Sequence, residues 1–149
     1  MGFPREARDL YSNGGKVTEE VGRAEIQRFL LEHIASYEEL EIVLLLCQRA
    51  ERDWTAAQIA EETRMPAGAC SAALEALQKQ GLLAEGALAA SFRYAPGSSA
   101  LAAQVVRLAD FYQQQRLAVV RMMSTNAVDR LRTAAIRRFA EAFRFRERG

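Results

Sequence analysis

The chain has 149 residues, half of them hydrophobic, enough for one domain with a sizeable core or one domain with helical extensions. Its longest purely apolar run, Ile42 to Cys47, is far too short to span a bilayer, and residues 1–16 lack the apolar centre of a secretory signal, so no membrane span is expected and the cytoplasm is the expected compartment. The formal net charge of +1 conceals an asymmetry: residues 116–148 carry nine arginines against three acidic side chains (+6), which leaves eleven basic and sixteen acidic elsewhere (−5).

Residues 1–17 read as a loose tail, with Gly14-Gly15-Lys16 a flexible joint rather than a phosphate loop. Thr18 followed by Glu19 and Glu20 is a helix start, because a hydroxyl can cap free amides and carboxylates favour the positive helix end. Val21, Ile26, Phe29, Leu30 and Ile34 then give one apolar stripe, so a first helix is expected over about 18–34. His33 near its end is expected to be structural, since a lone histidine has no second one with which to build a metal site or triad. Ser36 with Glu39 forms a capping box opening a second helix. There Leu40, Val43, Leu44 and Cys47 face inward, and Glu38, Glu39 and Glu41 form a solvated face.

Trp54 is expected to fill the gap between this second helix and a hairpin wing further along the chain. Thr55 can cap a short helix, Ala56 to Thr63, that buries Ile59 and Ala60. After the turn at Arg64-Met65, Pro66 suits the first position of the next helix, which Gly81 ends as a left-handed cap. Cys70, Ala73, Leu74 and Leu77 face inward in that helix. Leu82-Leu83, a turn at Glu85-Gly86, and Ser91 to Tyr94 read as a two-stranded hairpin, with Phe92 and Tyr94 on its core side. Cys47 and Cys70 are reduced core thiols with no ligand or cysteine at metal spacing, so neither metal nor other cofactor is expected.

From Ser98 the pattern is helical again. Leu101, Val105, Leu108, Tyr112, Val119 and Met122 form a seam, with Gln115 in its one gap, which predicts a long helix over 98–124 pairing with a second copy. Ser124-Thr125-Asn126 interrupts it. A last helix over about 127–144 sets Val128, Leu131, Ala135, Phe139 and Phe143 on one face and arginines around the rest. Phe143 and Phe145 are costly to leave in water, so this helix should dock on its own or a partner subunit.

The order helix, short helix, turn, helix, hairpin is the winged helix-turn-helix plan. The expected fold is therefore mainly α with a small β-hairpin wing, a winged-helix core flanked by N- and C-terminal helices. Three units are expected: a tail at 1–17, the winged-helix domain at 18–97 and a C-terminal helical interaction region at 98–149. Within the domain, Thr55 to Leu83 carries Ile59-Ala60 in the first motif helix, Ser71, Leu74 and Leu77 in the second, and Gly81-Leu82-Leu83 leading into the wing. In those residues the chain resembles bacterial transcriptional regulators of the MarR, PadR and ArsR kind, over about residues 36–96. The resemblance implies a dimeric DNA-binding regulator without catalytic activity, whose second motif helix enters the major groove.

The same helix departs from that pattern. It exposes Ala67, Gly68, Ala69, Ser71, Ala72 and Gln78, with Lys79 near its end, and Ala72 stands where such regulators commonly have Arg. Alanine cannot make the bidentate hydrogen bonds that discriminate bases by about 1–3 kcal/mol each. Residues 36–96 hold five basic and nine acidic side chains (−4), a poor start for neutralising phosphates. Two expectations stand side by side. In one, DNA is bound by Arg64, Ser71, Gln78, Lys79 and Arg93, with backbone contacts from Arg130, Arg132, Arg137 and Arg138 brought in by dimerisation. In the other, the fold is an adaptor whose small-residue helix docks on a protein partner.

Overall fold

The computed structural model describes residues 20–147, with side chains described to residue 144. The expected tail, its Gly-Gly-Lys joint, the helix start at Thr18 and the side chain of Phe145 lie outside the described residues. The described residues form nine elements. They are α1 (residues 20–33), α2 (Tyr37–Gln48), β1 (Trp54–Thr55), α3 (Ala56–Thr63), α4 (Ala67–Lys79), β2 (Leu83–Glu85), β3 (Ser91–Tyr94), α5 (Ser99–Gln114) and α6 (Arg116–Glu147). This is the winged helix-turn-helix plan: mostly helix, with one small antiparallel sheet. No described helix is long and apolar enough to cross a membrane.

Local chemistry sets most of the boundaries. Ser36 caps α2 by accepting from the Glu39 amide at 3.1 Å. Glu39 reaches back one residue further than a capping box requires, to the Ala35 amide at 3.3 Å, and is buried instead of solvated. Thr55 and Gln58 close a full capping box on α3. Pro66 sits just before α4, at its N-cap rather than inside its first turn. At the other end Gly81 is left-handed (φ +74°), and the Leu82 amide reaches the Leu77 carbonyl at 3.1 Å while the Gly81 amide reaches Gln78 at 3.0 Å. This paired closure satisfies carbonyls that would otherwise be orphaned, and it turns the chain sharply into the wing.

α2 is the central element, with Leu40, Ile42, Val43, Leu44 and Leu46 all buried and neighbours in α3, α4, α5 and β3. Ile42 and Leu46 join the inward set expected for this helix because α2 is covered on more than one side. The sheet has order β1-β3-β2, with Trp54 opposite Phe92 and Leu83 opposite Tyr94. β1 adds a strand that the sequence pattern does not show, and Trp54 is buried there, paired with Phe92 of the wing. His33 ties the end of α1 to the end of α4 through Gln80, at 3.0 Å.

The C-terminal region differs most from expectation. The helix over 98–124 breaks at Gln115 (φ −134°, ψ 52°), which ends α5 and whose carbonyl accepts the first bond of α6 from Val119. A polar clasp holds the break: Arg116 donates to the Tyr37 hydroxyl at 3.1 Å, and the Tyr37 and Tyr112 hydroxyls lie 3.3 Å apart. Burial and this hydrogen bonding push the Tyr112 phenol up to about 12. No interruption occurs at Ser124-Thr125-Asn126. Asn126 is buried and donates to the Gln27 carbonyl of α1 at 3.1 Å, so its amide does not compete with its own helix.

The seam residues accordingly sit within one chain. Val105, Leu108 and Val119 are fully buried, Met122 nearly so, and Leu101 and Tyr112 pack half-buried on the same core as Ile26, Phe29 and Leu30 of α1. Periodicity correctly marks an apolar face here, but what covers it is the chain's own core.

Arg130 fastens α6 to α1. Its guanidinium donates to the carbonyls of Leu30, Leu31 and Ile34 at 3.1, 2.6 and 3.4 Å, and to Ala35 at 3.4 Å. These carbonyls lie at the C-terminal end of α1 and just beyond it, where the helix end carries partial negative charge, and that of Leu30 also accepts from the Ile34 amide at 2.9 Å. Replacing Arg130 by Met, which keeps much of the stem, should lower unfolding free energy by about 1–3 kcal/mol. A urea midpoint unchanged from the wild type would show that water serves those carbonyls as well.

Candidate nucleic-acid interface

α3, the three-residue turn Arg64-Met65-Pro66 and α4 form the two-helix motif, and β2-β3 forms the wing beside it. α4 buries Cys70, Ala73, Leu74 and Leu77 against the core. Burial pushes the Cys70 thiol up, so it is a poor nucleophile. The opposite side exposes Ala67, Gly68, Ser71, Ala72, Glu75 and Lys79. Ala69 and Gln78 are half-buried, at the edges of this face rather than on it. Glu75, which the residues picked out from the sequence do not include, sits in its middle and places negative charge where a groove-reading helix meets phosphate.

The cations around this face fall into two groups. Arg64 is exposed in a left-handed conformation (φ 58°) that terminates α3, and Lys79 is exposed at the end of α4. Neither forms an ion pair among the described residues. The others are engaged. Arg52 lies 3.9 Å over the Trp54 ring, and Arg49 approaches Glu62 at 3.8 Å. Arg93 of β3 donates through Nε to Asp53 Oδ1 at 2.7 Å. The Ala87 amide, donating to the other oxygen of Asp53 at 3.0 Å, and then the Arg93 guanidinium hold that carboxyl below its usual range against the opposing effect of burial.

The wing tip carries no charge. Residues 86–90 are Gly-Ala-Leu-Ala-Ala, with Leu88 exposed at the end, and Phe92 and Tyr94 pack on the core rather than presenting rings to solvent. Burial also raises the Tyr94 phenol.

Of the C-terminal arginines, Arg116 lies near Glu62 and Thr63 at the end of α3. Arg130 is occupied by the end of α1. Arg132, Arg137 and Arg138 belong to the stretch 131–144, in which every residue is exposed, and they form no hydrogen bond or ion pair among the described residues. The same stretch leaves Leu131 72%, Ile136 68% and Phe139 69% exposed, with the Phe139 and Phe143 rings 5.4 Å apart. Leu131, Phe139 and Phe143 belong to the apolar face read from the sequence; Ile136 does not.

No protein-family model matches the chain, and no curated protein does. Among solved structures it is similar to reduced HlyU from Vibrio cholerae N16961, at 18% identity, covering 67% of this chain and 96% of that one, with a TM-score of 0.43. It is also similar to the adhesin competence repressor AdcR from Streptococcus pyogenes, at 17% identity over 94% of this chain and 98% of that one, with a TM-score of 0.41. The chain is a winged-helix protein by the order and packing of its own α2, β1, α3, α4, β2 and β3.

Proposed function

We propose that this chain is a regulator of transcription that binds duplex DNA as a two-fold dimer. The observation that supports this most directly is the bare outer side of α4. One side is locked into the core and the other, from Ala67 to Lys79, is free along its length next to a wing. Small side chains let the helix backbone approach a groove closely, and Ser71 supplies a polar contact at base edges, with Gln78 at the margin of the face. Arg64, Lys79 and Arg93 contact the phosphate backbone.

A single domain at −4 holds DNA weakly, and the dimer answers that shortage. The exposed apolar side of α6, with Val128, Leu131, Ala135, Phe139 and Phe143 at spacings of three and four, is the surface that a second copy covers. That pairing brings two sets of Arg132, Arg137 and Arg138 into one particle. Backbone contacts of this kind give affinity that falls steeply with salt, by a slope of about 0.9 per phosphate neutralised.

The test is binding of a generic duplex across a salt series. The expected result is a log-linear loss of affinity, with the slope reduced by about four in the Arg137→Gln/Arg138→Gln double variant, which removes two arginines from each of two copies. Absence of binding at about 50 mM salt, or a slope that the double variant leaves unchanged, would overturn the assignment. Glu75 in the centre of the α4 face favours a second reading, an adaptor that engages a basic protein surface. It is supported if duplex binding is absent and Glu75→Gln weakens capture of a protein partner.

A further inference from the structure

Asp53 and Arg93 do more than form a surface ion pair. The carboxylate is only 13% exposed, and each of its oxygens has a separate donor: Oδ1 takes Arg93 Nε and Oδ2 takes the Ala87 amide. The wing loop is built around it. A Cβ at Gly86 would lie 2.9 Å from the Asp53 carboxyl carbon and 2.2 Å from Ser91 Oγ, so glycine alone leaves room for the carboxylate. The Gly86 amide donates to the Ser91 carbonyl at 2.9 Å, and Ser91 Oγ donates to the Leu88 carbonyl at 2.6 Å. Asp53 is therefore held rigidly by backbone on one side and offers a fixed acceptor on the other.

Arg93 meets that acceptor through Nε alone. Its terminal amino groups make no hydrogen bond among the described residues, and its side chain is 48% exposed. Its partner across the β2-β3 pair is Ala84, too small to obstruct it. A guanidinium pinned at Nε cannot swing, and the two terminal nitrogens form the fork that matches two oxygens of a phosphate. We propose that Asp53 is a positioning residue that aims the Arg93 fork at one phosphodiester of bound DNA. This deepens the DNA-binding reading above and rests on it.

Two effects of Asp53 oppose each other at that phosphate. Its negative charge repels the ligand, but that charge is already paired with the Arg93 guanidinium at 2.7 Å. Its bond to Nε removes the freedom of a long, rotamer-rich side chain before binding. With the pair formed before binding, the second effect is the larger. Removing Asp53 should therefore weaken DNA binding, although the change makes the protein less acidic.

The experiment measures duplex affinity at one fixed salt for the wild type, Asp53→Ala, Asp53→Asn, Arg93→Gln and the Asp53→Ala/Arg93→Gln double variant. Asp53→Ala should bind about five- to tenfold more weakly than the wild type. Asp53→Asn, with one acceptor where two are used, should fall between them. On the Arg93→Gln background the Asp53→Ala change should cause no further loss, an outcome that a purely structural role in the wing would not give. Equal or tighter binding by Asp53→Ala overturns the proposal, as does a loss that persists in full on the Arg93→Gln background. If the wild type binds and either of those results appears, only the role of Asp53 falls. If no variant, wild type included, binds duplex at low salt, the DNA reading falls and this role with it.

Discussion

Leu108→Asp should abolish the cooperative unfolding transition of the chain instead of dividing a dimer into intact halves. Leu108 is completely buried on α5. It belongs to the same cluster as Leu30 of α1, Leu40 of α2 and Val119 of α6. Truncating such a leucine costs about 2–5 kcal/mol in lost transfer energy and residual cavity. An aspartate adds the penalty of a carboxylate with no partner, or of the proton needed to neutralise it. Together these approach the whole stability of a small domain, about 5–15 kcal/mol. Circular dichroism during heating or urea titration reads the result. A variant that still melts cooperatively at half the wild-type solution mass would return the α5 seam to the role of interface between copies.

The second large effect is expected where none of the described residues covers apolar surface. Leu131→Glu/Phe139→Glu should leave the melting curve close to that of the wild type and reduce the solution mass to that of one chain, 16.6 kDa. Both side chains are more than two-thirds exposed, so neither supports the core. In a two-fold pair each is removed from water twice. Four side chains at about 1.5–3 kcal/mol each amount to several powers of ten in the dimer dissociation constant. Sedimentation at matched concentrations distinguishes the outcomes. A wild-type chain that sediments as a monomer, or a double variant that stays dimeric, would remove α6 as the dimer surface.

The features legible in the sequence and those hidden from it divide along a physical line. Ser36, Thr55 and Gly81 act within four residues of themselves, and the boundaries they mark are the ones observed. The wing is visible because polar Ser91 and Arg93 alternate with aromatic Phe92 and Tyr94. β1 is not, since two residues carry no pattern of their own and Trp54 finds Phe92 far along the chain. The break at Gln115 is hidden for the same reason. Its cause is a clasp between Tyr37, Tyr112 and Arg116, whose first member lies several elements earlier.

The candidate interface obeys this division. The small, uncharged outer side of α4 can be picked out residue by residue from its spacing. Glu75 falls outside the residues chosen that way, although the same spacing puts it there. Arg130 looks like one more surface arginine because its role depends on carbonyls about a hundred positions away. Arg93 looks free because its partner, Asp53, precedes a strand too short to be recognised.

α6 runs unbroken for 32 residues, and among the described residues its last fastenings to the body are Asn126 and Arg130. Past Arg130 it is a cantilever about 25 Å long at 1.5 Å per residue. A rotation of about ten degrees where Arg130 grips α1 would carry the far tip by about 4 Å, more than half the pitch of a helix turn. The grip is made by one guanidinium on the C-terminal end of one helix, so whatever shifts that end is magnified along the beam.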